Sequence, residues 1–347
     1  RDFCLSRGLG DVYKRQLEAF CDLTDFPALA EQEGVQEVYA PWHALEEESV
    51  SGDLLTNIFA GGTVDTEWCF LTGYSQYEEF RNDVDSYVWY FDWQGYQTRG
   101  GHPGFGWFYN RQNVNQFLGF QEYWFTENHY GELVDPVEAQ WNSDLLLVDE
   151  IVKDLRSCLD GEGRPVFSFS VSYQNHGPYE WTYTANETYL DPKTSGLPEE
   201  SCYVFNNYLH GVNITISAMT LLAQQLEEME EPVVLVFFGD HLPYLGDNQL
   251  AYAELGFTAR AEGDALTSYE TPYVIWANDA AAQALDWEAA VASLDLPEDG
   301  RLSASFLGAA VLELTGRTGE SPWFDFLNQL RRELPVVQKL SLIHISE

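Results

Sequence analysis

Basic residues are scarce in this chain of 347 residues, where 17 Lys and Arg stand against 56 Asp and Glu and give a formal charge of −39. A field of that sign repels nucleic acid phosphates and anionic lipid headgroups, so the sequence predicts no nucleic acid partner. An anionic substrate would need local cations or a bound metal. Long apolar runs are also missing, because none reaches the roughly 18 residues that cross a bilayer, and the sequence predicts a soluble fragment.

Cysteine is scarce too, and it follows no pattern. The five cysteines (Cys4, Cys21, Cys69, Cys158 and Cys202) include no C-x-x-C spacing, which argues against a zinc knuckle or a thioredoxin-like site. Their odd number argues against a full disulfide framework, and their redox state stays open. What the chain does have is apolar material: 45% of its residues are hydrophobic and 15% are aromatic, enough for a substantial core.

The two ends differ from the rest of the sequence. Residues 1–16 and 340–347 resemble translated sequencing adapters, and we expect a non-native leader and tail there. The leader would replace the body of a buried first strand, of which residues 17–22 would be the end. Because buried unpaired charge is costly, we expect residues 11–16 to fray from the sheet. Between the ends we expect one domain, with its core at 17–270 and a C-terminal part at 271–339.

The clearest element is the run of six apolar residues at 233–238, which is followed by Gly239, Asp240 and His241. Such a run is typical of a central parallel strand. Further strands are predicted near 96–99, at 165–172 and at 272–276, with helices at 84–93, 203–228 and 303–314. This alternation predicts an α/β fold with a mostly parallel central sheet, helices on both faces and a small C-terminal subdomain.

Polar residues follow several of these predicted elements. Glu18 lies at the end of the first strand, Thr63 in a glycine turn that opens a helix, His176 after the strand at 165–172, and Asp240 with His241 after the strand at 233–238. Open α/β sheets bind their ligands beyond the carboxyl ends of the strands, so we expect these groups to converge. An adjacent carboxylate and imidazole suit a hard or borderline divalent metal.

Three motifs extend this pattern: Gly61-Gly62-Thr63-Val64-Asp65-Thr66-Glu67, the spacing His102-x8-Arg111, and Asn175-His176-Gly177-Pro178. With them, residues 17–338 resemble the extracellular catalytic domain of lipoteichoic acid synthases, which are phosphoglycerol transferases of the alkaline phosphatase and sulfatase superfamily. The resemblance implies metal ligation by Glu18, Thr63, Asp240 and His241, catalysis by Thr63 and His176, and substrate binding by His102, Tyr109, Arg111 and His176. Tyr109 stands where the family commonly has Trp.

The implied reaction moves phosphoglycerol from phosphatidylglycerol to a glycerol-phosphate polymer or a glycolipid through a phospho-threonine intermediate. It implies one divalent metal, with Mn²⁺ first and Mg²⁺ or Zn²⁺ also compatible with the ligands. The implied partners are an anionic phospholipid headgroup and the glycerol-phosphate polymer. Family members carry membrane helices before this domain, so the resemblance places the catalytic part at the extracellular face of the cell membrane.

Other functions stay open at this stage. Water could replace the acceptor in a phosphodiesterase or sulfatase-like hydrolase, although residues 62–66 lack the Cys/Ser-x-Pro-x-Arg motif of true sulfatases. The chain could also be an inactive module that binds polymer at the cell surface.

Several site residues have a structural alternative as well. Glu18 could lie on the surface and His102 could be structural. Thr63 could cap its helix, with Asp65 and Glu67 favouring the positive helix N-terminus, and Arg111 could pair with a nearby carboxylate.

Overall fold

The computed structural model describes residues 12–75, 80–133, 143–161, 163–182, 187–257 and 267–338. Its strands are β1 (Val12–Leu17), β2 (Val50–Leu55), β3 (Gln97–Gly101), β4 (Glu122–Trp124), β5 (Val166–Val171), β6 (Val234–Gly239), β7 (Glu270–Ala277) and β8 (Leu302–Ser303). Its α-helices are α1 (Pro27–Ala30), α2 (Glu33–Glu47), α3 (Thr63–Thr72), α4 (Tyr87–Trp93), α5 (Arg111–Leu118), α6 (Asp144–Gly161), α7 (Glu199–Glu227), α8 (Leu250–Glu254), α9 (Asp279–Leu285), α10 (Trp287–Ser293), α11 (Ala304–Leu314) and α12 (Pro322–Glu333).

The strands form one sheet in the order β4-β3-β5-β1-β6-β7-β2-β8. Strand β7 is antiparallel to both of its neighbours, β6 and β2, and the other pairings are parallel. The predicted α/β fold with a mostly parallel sheet is therefore confirmed. The strand predicted at 233–238 is central, but it is parallel only to β1.

Both faces of the sheet are buried, which explains the continuous apolar runs. In β6, Leu235 and Phe237 pack into a core that includes residues of α2, α6 and α7. Val234, Val236 and Phe238 pack on the opposite face with residues of α3, α4 and α11. A strand covered on both faces has no polar position, so its sequence reads as an unbroken apolar run.

The expectation that residues 11–16 fray from the sheet is wrong for the described residues, because strand β1 lies between β5 and β6 and pairs with both. Residues 12–16 therefore do not fray from the sheet. Arg15 is buried with its Nη2 atom 3.3 Å from Oδ1 of Asp144, and the Gln16 amide donates a hydrogen bond of 3.0 Å to the Thr63 carbonyl. Both partners are distant in the sequence, so no local pattern around β1 predicts them. A non-native leader remains a prediction, and residues 1–11 and 339–347 lie outside the described residues.

The C-terminal part extends the same sheet. Strand β7 pairs along its length with β6 and β2, and β8 continues from β2. Helix α11 packs against α3, the helix that begins at Thr63, so this part supports the region around the predicted site. No helix within the described ranges is long and apolar enough to cross a membrane.

Candidate active site

A cleft of about 350 Å³ opens where the carboxyl ends of β1, β3 and β5 meet the beginning of α3. The predicted site residues that line it are Glu18, Thr63, His102, Tyr109, Arg111, His176 and His241. Asp240 follows β6 directly and is fully buried beside His241. The fold therefore gathers every side chain for which the sequence predicted a role.

Two carboxylates and an imidazole form the innermost part of the site. One ligand atom each from Glu18, Asp240 and His241 lies within 4.8 Å of the others. The Nε2 atom of His241 is 3.7 Å from Oε1 of Glu18 and 3.5 Å from Oδ2 of Asp240. All three residues are buried, so Glu18 is not the surface residue of the structural alternative.

The hydrogen bonds of this cluster leave its inward atoms free for a metal. Among the described residues, Oδ2 of Asp240 and Nε2 of His241 are buried atoms without a hydrogen-bond partner. The other Asp240 oxygen accepts from the Ala19 amide at 2.7 Å, and Nδ1 of His241 lies 2.9 Å from the Leu242 carbonyl. When Nδ1 donates to that carbonyl, Nε2 keeps its lone pair for a ligand. This mixed oxygen and nitrogen set fits one divalent cation.

Electrostatics also favour a cation here. Burial, with the charge of Asp240 added, raises the pKa of Glu18 to about 8. Burial lowers the pKa of His241, but Asp240 and Glu18 raise it by more, so it lies above its usual range. The cluster therefore holds protons that a divalent ion would replace with its own charge.

Thr63 is the first residue of α3, and its hydroxyl faces the cluster. The N-cap is Gly62, whose φ of 88° is in the left-handed region that favours glycine. Because Gly62 holds the cap position, Thr63 is not the capping residue of the alternative interpretation. Its Oγ1 donates to Oε2 of Glu18 at 3.2 Å. The N-terminus of α3 beside it favours an anionic group in the cleft.

Arg111 is the buried cation of the site, and Glu67 holds it. Glu67 lies one turn after Thr63 on α3, and its Oε2 accepts from Nε and Nη2 of Arg111 at 3.3 and 2.9 Å. Burial raises the pKa of Glu67, and Arg111 opposes that rise. The alternative for Arg111 is borne out in part, because Arg111 pairs with a carboxylate and also lines the cleft. Glu67 is fully buried and binds Arg111.

His102, His176 and Tyr109 also line the cleft. His102 is buried, with its Nδ1 3.2 Å from the Val171 carbonyl, and burial, with the charge of Arg111 added, holds its pKa well below the usual range. His176 is exposed. The Tyr109 ring lies 5.6 Å from the guanidinium carbon of Arg111. A neutral buried imidazole and an exposed one can therefore serve different steps of proton transfer.

A second group that could hold a metal, within the residues described, consists of Asp22, His43 and Glu46. It differs from the first because both oxygens of Asp22 already have partners. Oδ1 accepts from the amide and hydroxyl of Thr24 at 2.7 Å, and Oδ2 lies 2.6 Å from Nε2 of His43. This group therefore lacks the unpartnered buried ligand atoms that mark the cleft.

A hydroxyl, two carboxylates and an imidazole gathered beside the strand ends of a mostly parallel α/β sheet suit metal-assisted transfer or hydrolysis of an ester. Residues 31–317 match the family described as Sulfatase, and the chain belongs to that family.

Known proteins agree with this assignment. A protein of Rhizobium meliloti (strain 1021), named for cyclic beta-1,2-glucan modification, is 29% identical over 354 residues, which cover 97% of this chain and 50% of that protein. The chain thus spans about half the length of that relative. The phosphoglycerol transferase GacH of Streptococcus pyogenes, in complex with sn-glycerol-1-phosphate, has a TM-score of 0.66 at 17% identity. The match covers 96% of this chain and 82% of the GacH chain. The lipoteichoic acid synthase LtaP of Listeria monocytogenes has a TM-score of 0.66 at 18% identity, and the match covers 93% of this chain and 76% of LtaP.

Proposed function

We propose that the chain transfers phosphoglycerol from phosphatidylglycerol to an acceptor hydroxyl through an intermediate on Thr63. The observation that carries this proposal is the Thr63 hydroxyl, which hydrogen-bonds Glu18 at 3.2 Å and shares its cleft with Arg111 and three histidines. The match to the sulfatase family and the similarity of fold to phosphoglycerol transferases support it.

In the first step, the Thr63 oxygen attacks phosphorus and its proton passes to Glu18. The bond between phosphorus and the diacylglycerol oxygen breaks, and His176 supplies the proton that this oxygen needs. Arg111 is held in place by Glu67, so its guanidinium can bind the phosphoryl oxygens without first being ordered.

In the second step, an acceptor hydroxyl attacks the same phosphorus and gives its proton to His176. The bond between phosphorus and the Thr63 oxygen breaks, and Thr63 recovers its proton from Glu18. A divalent ion held by Glu18, Thr63, Asp240 and His241, with Mn²⁺ our first candidate, would favour the alkoxide of Thr63 and offset phosphoryl charge.

The acceptor is the least constrained part of the reaction. The resemblance to lipoteichoic acid synthases suggested a glycerol-phosphate polymer or a glycolipid. The name of the Rhizobium meliloti relative supports a glucan instead, and we propose a glucan hydroxyl as the acceptor. We also propose that the catalytic part works at the extracellular face of the cell membrane, as in the family that its motifs resemble.

Fluorescent phosphatidylglycerol tests the proposal directly. Incubation with Mn²⁺, Mg²⁺ or Zn²⁺ should release diacylglycerol, and quenching in acid should leave phosphoglycerol on the peptide that contains Thr63, detectable by mass spectrometry. A Thr63→Ala variant is the matched control and should show neither signal. Turnover of the lipid by that variant would reject the nucleophile, and release without any acceptor dependence would favour a hydrolase.

A further inference from the structure

An exposed row of aromatic rings leads away from the cleft. Phe105, Trp107 and Phe108, hereafter the aromatic row, are 48%, 61% and 45% exposed. Their ring centroids are 5.6 Å apart from Phe105 to Trp107 and 5.8 Å apart from Trp107 to Phe108. Single exposed apolar side chains are ordinary, but a contiguous exposed patch marks a binding surface.

The aromatic row is continuous with the reaction centre. The Phe108 centroid is 4.4 Å from that of Tyr109, and both residues line the cleft that contains Thr63. The Tyr109 ring in turn lies beside Arg111. A molecule bound along the row would therefore have one end at the position where the acceptor hydroxyl must attack.

Backbone hydrogen bonds fix the loop that carries these rings. The Gly106 amide donates to both carboxylate oxygens of Glu127, at 3.1 and 2.9 Å. The Gly106 carbonyl accepts from the Gln112 amide at 2.9 Å, and the Phe108 amide donates to the Phe105 carbonyl at 3.1 Å. These bonds fix the backbone that carries the rings, which reduces the entropy lost when a ligand binds.

Charge identifies the kind of occupant. Between residues 102 and 133 the sequence contains one basic residue, the buried Arg111, in a chain of net charge −39. Aromatic residues that hold a protein at an anionic bilayer are accompanied by exposed Lys and Arg, and an anionic polymer would also be repelled. The exposed polar residues that follow the row in the chain are uncharged amides, Asn110, Gln112 and Asn113, and the nearby carboxylate of Glu127 is bound to the Gly106 amide. Flat rings beside neutral amides suit a neutral sugar, whose C–H face packs on a ring while its hydroxyls form hydrogen bonds.

We propose that the aromatic row is the binding surface for a neutral glycan acceptor. The inference rests on the proposed transfer reaction for its purpose, but binding can be measured without the donor lipid. Isothermal titration of the chain with a neutral glucan oligosaccharide should give saturable binding. Trp107→Ala should weaken it about tenfold, and Trp107→Phe should restore most of it.

Trp93 provides a matched control, because it is 71% exposed and stacks on Trp89 in α4, outside the cleft lining. Trp93→Ala should bind the glucan within about twofold of the parent. Equal losses in Trp93→Ala and Trp107→Ala, or no loss in Trp107→Ala, would overturn the proposal.

Two further ligands separate the competing occupants. Vesicles of phosphatidylcholine and a short glycerol-phosphate oligomer should bind weakly and show no dependence on Trp107. Binding of either that is lost in Trp107→Ala, with glucan binding unchanged, would assign the row to a membrane or an anionic polymer and reject our inference. Titration of the Thr63→Ala variant with glucan tests the surface even where donor turnover fails, so the two proposals can fail separately.

Discussion

The buried pair of Glu67 and Arg111 allows a quantitative test of how the site is held. Both side chains are almost fully buried, and Oε2 of Glu67 accepts two hydrogen bonds from the guanidinium. Glu67→Gln removes the negative charge and keeps the shape. Arg111 cannot lose its proton, so it remains as a buried cation, and we expect a cost of about 3–5 kcal/mol in the free energy of unfolding.

Removal of Arg111 instead of the Glu67 charge should cost less stability, because a buried carboxylate can become neutral by binding a proton. In Arg111→Met, burial raises the pKa of Glu67 without the opposing charge, so Glu67 can take up a proton when the chain folds. This loss of stability should shrink as the pH falls, since the unfolded chain then also holds the proton. The double variant Glu67→Gln with Arg111→Met contains no buried charge at this position and should be more stable than Glu67→Gln alone.

Urea unfolding of the parent and the three variants at pH 7 and pH 5, in excess EDTA, measures these differences. We expect Glu67→Gln to be the least stable at both values, and Arg111→Met to approach the parent at pH 5. A double variant as unstable as Glu67→Gln would refute the reasoning, because the loss would then come from shape and not from an uncompensated charge.

Three further predictions concern single features of the site and sheet. Thr63→Ala should abolish lipid turnover but cost at most about 1 kcal/mol in stability, because the helix cap belongs to Gly62; activity and thermal melting of one preparation check this. Mn²⁺ at a concentration of one hundred times its Kd should stabilise the parent by about 2.7 kcal/mol, and Asp240→Asn should remove this stabilisation. Calorimetry with and without the metal measures both values. Arg15→Met combined with Asp144→Asn should raise the free energy of unfolding by about 1–4 kcal/mol, because three buried nitrogens of Arg15 have no hydrogen bond; a lower urea midpoint would contradict this.

The sequence predicted the central strands well because their composition reflects burial on both faces. The predictions at 165–172 and 233–238 agree with β5 and β6 to within one or two residues. Helix α7 begins at Glu199, earlier than the predicted residue 203, because its first turn is polar and gives no apolar periodicity. Strand β1 was misjudged because its charge partner, Asp144, lies on a distant helix.

The site was predictable where a polar residue directly follows an apolar run or a glycine turn. Thr63 and Asp240 have that signal, whereas Glu18 follows a stretch that contains Lys14 and Arg15, and its role is implied by the family resemblance. Glu67 does not, because its role depends on how α3 packs against Arg111. Its spacing of four residues from Thr63 places it one helical turn away on the same side, the one sequence signal that could have indicated it.

The charge of the site leads to a last prediction, about the order in which ligands bind. Glu18, Glu67 and Asp240 carry three formal negative charges within the site, and Arg111 supplies one positive charge. The sum is −2 only above the Glu18 pKa of about 8, where all three are ionised, so at pH 9 a phosphate ester approaches an unfavourable field until a divalent cation neutralises it. Isothermal titration with sn-glycerol-1-phosphate should therefore show binding with Mn²⁺ and at least tenfold weaker binding in EDTA. Asp240→Asn, which removes one ligand and one charge together, should bind the ester weakly in both conditions. Equal affinity of the parent with and without metal would mean that Arg111 and the amides of α3 are sufficient, and that the cation acts only in the chemical step.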